Sequence, residues 1–378
     1  MSEYIPRLLS SKIEEAAKYY PVLVVTGPRQ SGKTCLCKHL YPDASYVNLE
    51  NISTRAKAAN DLNLFLDTLG DTAIIDEVQH LPDLLSMIQV RVDENKKLRY
   101  ILTGSSNFSL LRTVTQSLAG RSALFTLLPL SFMELTSPQK KLSTNELMWQ
   151  GQYPGVIAEG IPVHNFFSNY YNTYVERDLR DLLKLRNLLT FDKFVRMLAI
   201  RVGSEFNASA LGREVGVSSH TVTEWLSLLA TSYIAYPLAP YFSNLSKRLT
   251  KMPKVYFYDT GLLCYLLGIE TYEMLENHPL RGAIFENLAM GELLKSRLNK
   301  ALDPNLYFYR EKSGLEIDAV QSIAGSLHLF EIKAGTSMRP DYYDNINVLK
   351  RCQNNVSAST IIYDGESQPP ICLNIRDI

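Results

Sequence analysis

Long apolar runs are missing from this sequence. No stretch reaches the roughly 18 consecutive apolar residues that a membrane span needs, so none is expected to cross a bilayer. The opening MSEYIPRLLSSKIEE has no basic segment followed by an apolar one, so no secretory signal is expected there. Cysteine is scarce and odd in number: Cys35, Cys37, Cys264, Cys352 and Cys372 are scattered, with no CxxC pair. That argues against a zinc knuckle and a disulfide framework and points to a reducing, cytoplasmic setting. Excess charge is absent as well. The 39 Lys and Arg balance the 39 Asp and Glu, so no global positive field draws nucleic acid, and any such contact has to come from a local patch. Internal repeats and low-complexity stretches do not occur.

What is present is a chain of 378 residues, 46% hydrophobic, long enough for two or three domains with their own cores. In the first 135 residues short β-branched runs alternate with helical patterns. The runs are 22–26, 46–49, 72–75, 100–103 and 123–127, and 81–92 is an amphipathic segment between them. This alternation predicts an α/β domain with a parallel sheet covered by helices on both faces. From Ser137 the character changes. Residues 165–189 read as one long helix, and aromatic strand-like runs occupy 233–236 and 255–258. The last hundred residues read helix (283–298), strands (306–310, 315–321, 327–333), helix (344–352) and strand (359–363). The expected division is a parallel-sheet α/β domain at 1–135, a helical lid or linker at 136–189, a third region at 190–265 and a second α/β domain at 266–378.

The strongest chemical signal is Gly27-Pro28-Arg29-Gln30-Ser31-Gly32-Lys33-Thr34, which matches the P-loop pattern GxxxxGK[ST]. Its glycines let backbone N–H groups wrap a phosphate, and the following helix offers its N-terminus to the same anion. Lys33 is expected at the β- and γ-phosphates and the Thr34 hydroxyl at Mg²⁺. The apolar run Ala73-Ile74-Ile75 ends in Asp76 and Glu77, 43 residues after Lys33. Asp76 suits the Mg²⁺ environment, and Glu77 suits the base that activates the attacking water. A third strand, 99–103, leads into Gly104-Ser105-Ser106-Asn107. A polar residue there would orient the water; Asn107 is the first choice and Ser105 the second.

TGPRQSGKT, AIIDEVQ, LTGSSN, LAGR and LLPLSF together resemble the AAA+ ATPases of the ASCE group. YVERDL at 174–179 resembles the bacterial and archaeal members that carry a C-terminal DUF4143 domain. The resemblance covers nearly the whole chain. It implies a winged-helix region, a restriction-endonuclease-like C-terminal region and a homo-oligomer in which an arginine acts on the neighbour's nucleotide. Arg121 in Leu118-Ala119-Gly120-Arg121 is the best match for that arginine, with Arg112 the alternative.

Residues 209–226 read as helix, turn, helix. Leu211, Val215, Val222, Trp225, Leu226 and Leu229 would face a core, and Ser218 would cap the second helix. Ser219, His220 and Thr223 are left outward, where a major groove would meet them. Arginine and lysine are missing from that helix; positive charge follows at Lys247, Arg248, Lys251 and Lys254, on a wing that would touch phosphates and bind DNA weakly.

The helix and strand order of the last hundred residues is that of the restriction-endonuclease core. If Ala324-Gly325 is a two-residue turn, Asp318 faces Glu331 and Glu316 faces Lys333, all on one side of the hairpin. Facing carboxylates repel unless a cation lies between them, and Mg²⁺ is the expected guest of Asp318 and Glu331. Lys333 would stabilise a phosphate there, and Glu286 is a further ligand by its match to the family. Three functional readings follow: an ATPase with Mg²⁺ that repositions its C-terminal half on DNA; an ATP-regulated nuclease; and a nucleotide-switched scaffold for protein partners.

Overall fold

The structure is a computed structural model that describes residues 4–105, 118–173, 188–242 and 252–378. The chain divides into two compact units. The first holds residues 1–130 together with 231–233 and 297–302, and the second holds the remainder.

The first unit is built on five strands: β1 (Val22–Thr26), β2 (Ser45–Asn48), β3 (Thr72–Asp76), β4 (Arg99–Gly104) and β5 (Ser122–Thr126). They pair in parallel in the order β2-β3-β4-β1-β5. All five residues of β1 are buried. Val22 and Val24 pack on one face of the sheet with Leu84, Leu85, Ile88 and Val92 of the helix Asp83–Glu94. Leu23 and Val25 pack on the other with Leu9, Ile13 and Leu36. A strand whose alternate side chains enter two different cores has no solvent face, which is why it reads as a continuous apolar run. Each of these side chains contributes roughly 1.5–3 kcal/mol relative to exposure. The parallel arrangement brings the C-terminal ends of β1, β3 and β4 to one edge of the sheet, as in P-loop nucleotide-binding folds.

In the second unit, the helices Ala208–Val215 and Ser219–Thr231 are joined through Gly216, whose φ of 87° is open to glycine without strain. The Ser218 hydroxyl accepts the Thr221 N–H at 3.1 Å and caps the second helix. Leu211, Val215, Val222, Trp225, Leu226 and Leu229 are all buried. Strands β6 (Ala235–Leu238) and β7 (Lys254–Phe257) form an antiparallel pair. A second five-stranded sheet has the order β12-β11-β10-β9-β8. Its strands are β8 (Leu306–Arg310), β9 (Glu316–Ile323), β10 (Ser326–Lys333), β11 (Val356–Tyr363) and β12 (Cys372–Asn374). Strands β8, β9 and β10 are antiparallel neighbours, and β11 and β12 add in parallel. The hairpin register is the one the two-residue turn implies, with Val320 opposite Leu329. Ala324 and Gly325 both have positive φ, 49° and 83°, which suits a tight hairpin turn.

The long helix expected over 165–189 is described only as Val163–Tyr170, and the YVERDL segment lies outside the described residues. Among the described residues no helix is long and apolar enough to cross a membrane.

Candidate functional site

The loop between β1 and the helix Lys33–Leu40 is shaped by its glycines. Gly27 has φ 142°, and a β-carbon there would stand 2.1 Å from the carbonyl oxygen of Leu127. No other residue fits without moving that backbone. Gly32, with φ 94°, turns the chain into the helix. Arg7, only 6% exposed, braces the loop from outside the motif. Its guanidinium donates to the Ser31 carbonyl at 2.8 Å and to the Leu128 carbonyl at 2.6 Å.

Lys33 is buried and folds back over its own loop. Its ammonium donates to the carbonyls of Gly27 at 3.0 Å and Pro28 at 2.7 Å. Burial lowers its pKa to about 8, against the opposite pull of Glu77 and Asp76.

Asp76, at the end of β3, is the hub of a hydroxyl network. Its Oδ2 accepts from Thr34 at 2.7 Å and from the Tyr46 phenol on β2 at 2.9 Å. Its Oδ1 accepts from Thr103 on β4. Three hydroxyl donors fix the direction of the carboxylate. The next residue, Glu77, has φ 55°, an unusual conformation for a side-chain-bearing residue and one that recurs at functional positions. Its carboxylate accepts from the Ser105 hydroxyl at 2.9 Å, from the Ser105 N–H at 3.3 Å and from the Gln79 amide.

Thus Lys33, Thr34, Asp76, Glu77 and Ser105 gather at one edge of the sheet. Of the two polar residues weighed after β4, Ser105 touches Glu77, whereas Asn107 lies outside the described residues. Arg112 does too. Arg121 does not approach this cluster in its own chain. It begins the opposite, N-terminal end of β5 and forms a two-pronged pair with Asp93, Nε to Oδ1 at 2.7 Å and a terminal nitrogen to Oδ2 at 2.6 Å. Sequence reasoning missed Arg7, Tyr46, Thr103 and Gln79. Only the strand order reveals that Tyr46 and Thr103, on the neighbours of β3, reach Asp76.

An oxygen-only donor set of one carboxylate and one hydroxyl fits Mg²⁺, which takes few protein ligands and fills its shell with water and substrate oxygens. Among the described residues no three His, Cys, Asp or Glu side chains are grouped as a metal cage.

The outward residues of the helix Ser219–Thr231 are exposed as expected: Ser219, His220 and Thr223. Their hydrogen bonds stay local, with His220 3.4 Å from Glu224 and Thr223 donating to the Ser219 carbonyl at 2.9 Å. Lys247, Arg248 and Lys251 lie outside the described residues. Lys254 corrects the expectation of an exposed wing. It is 3% exposed, because Glu316 at 2.6 Å and Glu286 at 3.5 Å surround its ammonium.

The C-terminal carboxylates also gather, with a different pairing from the expected one. Lys333 lies 2.7 Å from Glu331 and 3.6 Å from Asp318, so an ammonium already stands by both facing carboxylates. Glu316 pairs with Lys254 and, at 3.4 Å, with Arg310 instead of Lys333.

Three family models match consecutive stretches of the chain: an AAA domain over residues 19–136, the domain of unknown function DUF8612 over 141–273 and the domain of unknown function DUF4143 over 281–377. A Mycobacterium tuberculosis protein described as uncharacterized is 30% identical over 376 residues, which cover 96% of this chain and 80% of that protein. An uncharacterized protein of Methanocaldococcus jannaschii is 24% identical over 337 residues, covering 79% and 71%. Among solved structures, the Walker-type ATPase PABY2304 of Pyrococcus abyssi aligns with 68% of this chain and 94% of its own, at 16% identity and a TM-score of 0.45.

Proposed function

Because the chain belongs to the family that joins an N-terminal AAA domain of the P-loop ATPase type to a C-terminal DUF4143 domain, we propose that it hydrolyses ATP with Mg²⁺ at the edge of the first sheet. The observation that carries this reading is the single cluster in which Thr34 touches Asp76 and Glu77 is held by Ser105 beside the P-loop. Lys33 moves off the Gly27 and Pro28 carbonyls onto the phosphates, and the loop N–H groups take the remaining phosphate oxygens. Thr34 and Asp76 would hold Mg²⁺, which supplies charge neutralisation on the phosphates. Tyr46 and Thr103 keep the Asp76 carboxylate in one orientation. Glu77 accepts the proton of the attacking water, and Ser105 aims the carboxylate that receives it. Arg121 would complete a neighbour's site in a homo-oligomer by exchanging Asp93 for phosphate oxygens.

The test of the binding step uses the state of Lys33. A lysine on phosphate keeps its proton, whereas the free site gives it up near pH 8. ATP affinity is therefore expected to be flat at lower pH and to fall by up to about tenfold per pH unit above pH 8, where binding has to take up a proton. Titration calorimetry in buffers of different protonation enthalpy reads both effects, and Lys33→Arg, which stays charged, flattens the profile. No saturable ATP binding at any pH would sink the reading.

We further infer that the helix-turn-helix and the β6–β7 pair act as a winged helix that touches DNA. The exposed polar face of Ser219, His220 and Thr223 favours it. Replacing Lys247, Arg248 and Lys251 together with Ala should weaken binding and lower the salt dependence by about three units of slope at most. If the wild type binds no DNA at low salt, the region is a scaffold.

A further inference from the structure

The restriction-endonuclease order of the C-terminal elements raises the expectation of a divalent metal among Glu286, Asp318 and Glu331. The side chains do not fit one. Carboxylates that hold Mg²⁺ or Mn²⁺ leave oxygens free to converge on the ion. Here one oxygen of each carboxylate already has a partner. Asp318 Oδ2 accepts the Ile332 N–H at 2.8 Å. Glu286 Oε1 accepts the Tyr256 phenol at 2.6 Å and lies 3.5 Å from the Lys254 ammonium. Glu331 Oε1 accepts from Lys333 at 2.7 Å. Glu331 Oε2 is buried with no hydrogen-bond partner.

Charge leads to the same conclusion. Four carboxylates, Glu286, Glu316, Asp318 and Glu331, meet three cations, Lys254, Lys333 and Arg310. The three cations offset all but one of those negative charges without any added ion. The Lys254 ammonium is held between Glu286 and Glu316, at 3.5 and 2.6 Å. An ammonium tethered in that position cannot exchange as a hydrated ion does, and a dication beside it would meet repulsion.

We propose that Lys254, together with Lys333, is the built-in cation of this cluster, that the two ammoniums hold the carboxylates a divalent metal would use, and that the wild-type domain therefore binds no catalytic metal there. The cluster becomes an internal ion network that ties strand β7 to the helix Arg281–Leu298 and to the β9–β10 hairpin, in place of a nuclease centre.

The experiment uses the full chain, free of nucleotide and carrying Lys33→Ala so that the P-loop takes no part, with free Mn²⁺ followed by electron paramagnetic resonance. That parent is expected to take up no Mn²⁺ at millimolar concentration. Adding Lys254→Ala should create uptake of about one equivalent per chain, as for a weak carboxylate site, and adding Asp318→Asn to it should remove that uptake. Where Lys254→Ala does not fold, Lys254→Gln carries the same test, since it keeps a hydrogen-bond donor without the charge. Two results overturn the proposal: uptake by the parent that Asp318→Asn abolishes, or a folded Lys254 variant that takes up none.

Discussion

Glu77→Gln should bind ATP as tightly as the wild type and release phosphate at least about a hundredfold more slowly, the scale of losing a general base. The substitution keeps the shape of the side chain and an acceptor for Ser105, so the hydrogen bonds from the Ser105 hydroxyl and N–H can persist. It removes only the capacity to take a proton. Nucleotide titration and a phosphate-release assay on the same preparation separate the two effects. Turnover equal to wild type would show that another group is the base. Because Gln79 also donates to Glu77, Gln79→Ala serves as a control. It leaves the carboxylate in place and should cost far less than Glu77→Gln.

The second large effect is expected at Lys33. Lys33→Ala should abolish measurable ATP binding, because it removes the ammonium that meets the β- and γ-phosphates. In the free protein the same substitution should be mild. The buried ammonium is stabilised by two backbone carbonyls, yet it is disfavoured by burial strongly enough to bring its pKa to about 8. The wild type should gain thermal stability with ATP, about 2.7 kcal/mol at a hundredfold excess over Kd, and the variant should gain none. An ATP-induced shift of the melting temperature in Lys33→Ala would place the nucleotide somewhere other than the P-loop.

The first sheet was largely legible because its strands are buried on both faces. Residues 22–25 are apolar at every position, and such a run stands out against amphipathic helices. The β9–β10 register was legible for a different reason. A two-residue turn leaves one pairing, and Ala324-Gly325 has the backbone such a turn requires. What escaped was short or long-range. Strand β12 has three residues, too few for any periodicity, and is held by pairing with β11. Tyr46 looked like an ordinary strand residue, since its hydroxyl matters only once β2 lies beside β3. Arg7 is 24 residues upstream of the carbonyl it braces. Lys254 was read as a wing cation because a lysine in a basic segment is usually solvated. Its burial comes from carboxylates 32 and 62 residues away in sequence, Glu286 and Glu316, which no local pattern announces.

The central claim is that the cluster of Lys33, Thr34, Asp76, Glu77 and Ser105 cleaves the terminal phosphate of ATP. A single-turnover reaction tests it most directly, with wild-type full chain in excess over ATP labelled at the γ-phosphate, in the presence of Mg²⁺ and again after chelation. The account predicts release of one equivalent of labelled phosphate per bound ATP with Mg²⁺ and none after chelation. ATP that binds with Mg²⁺ and is recovered intact would contradict it, and would make the site a nucleotide-binding switch without hydrolysis.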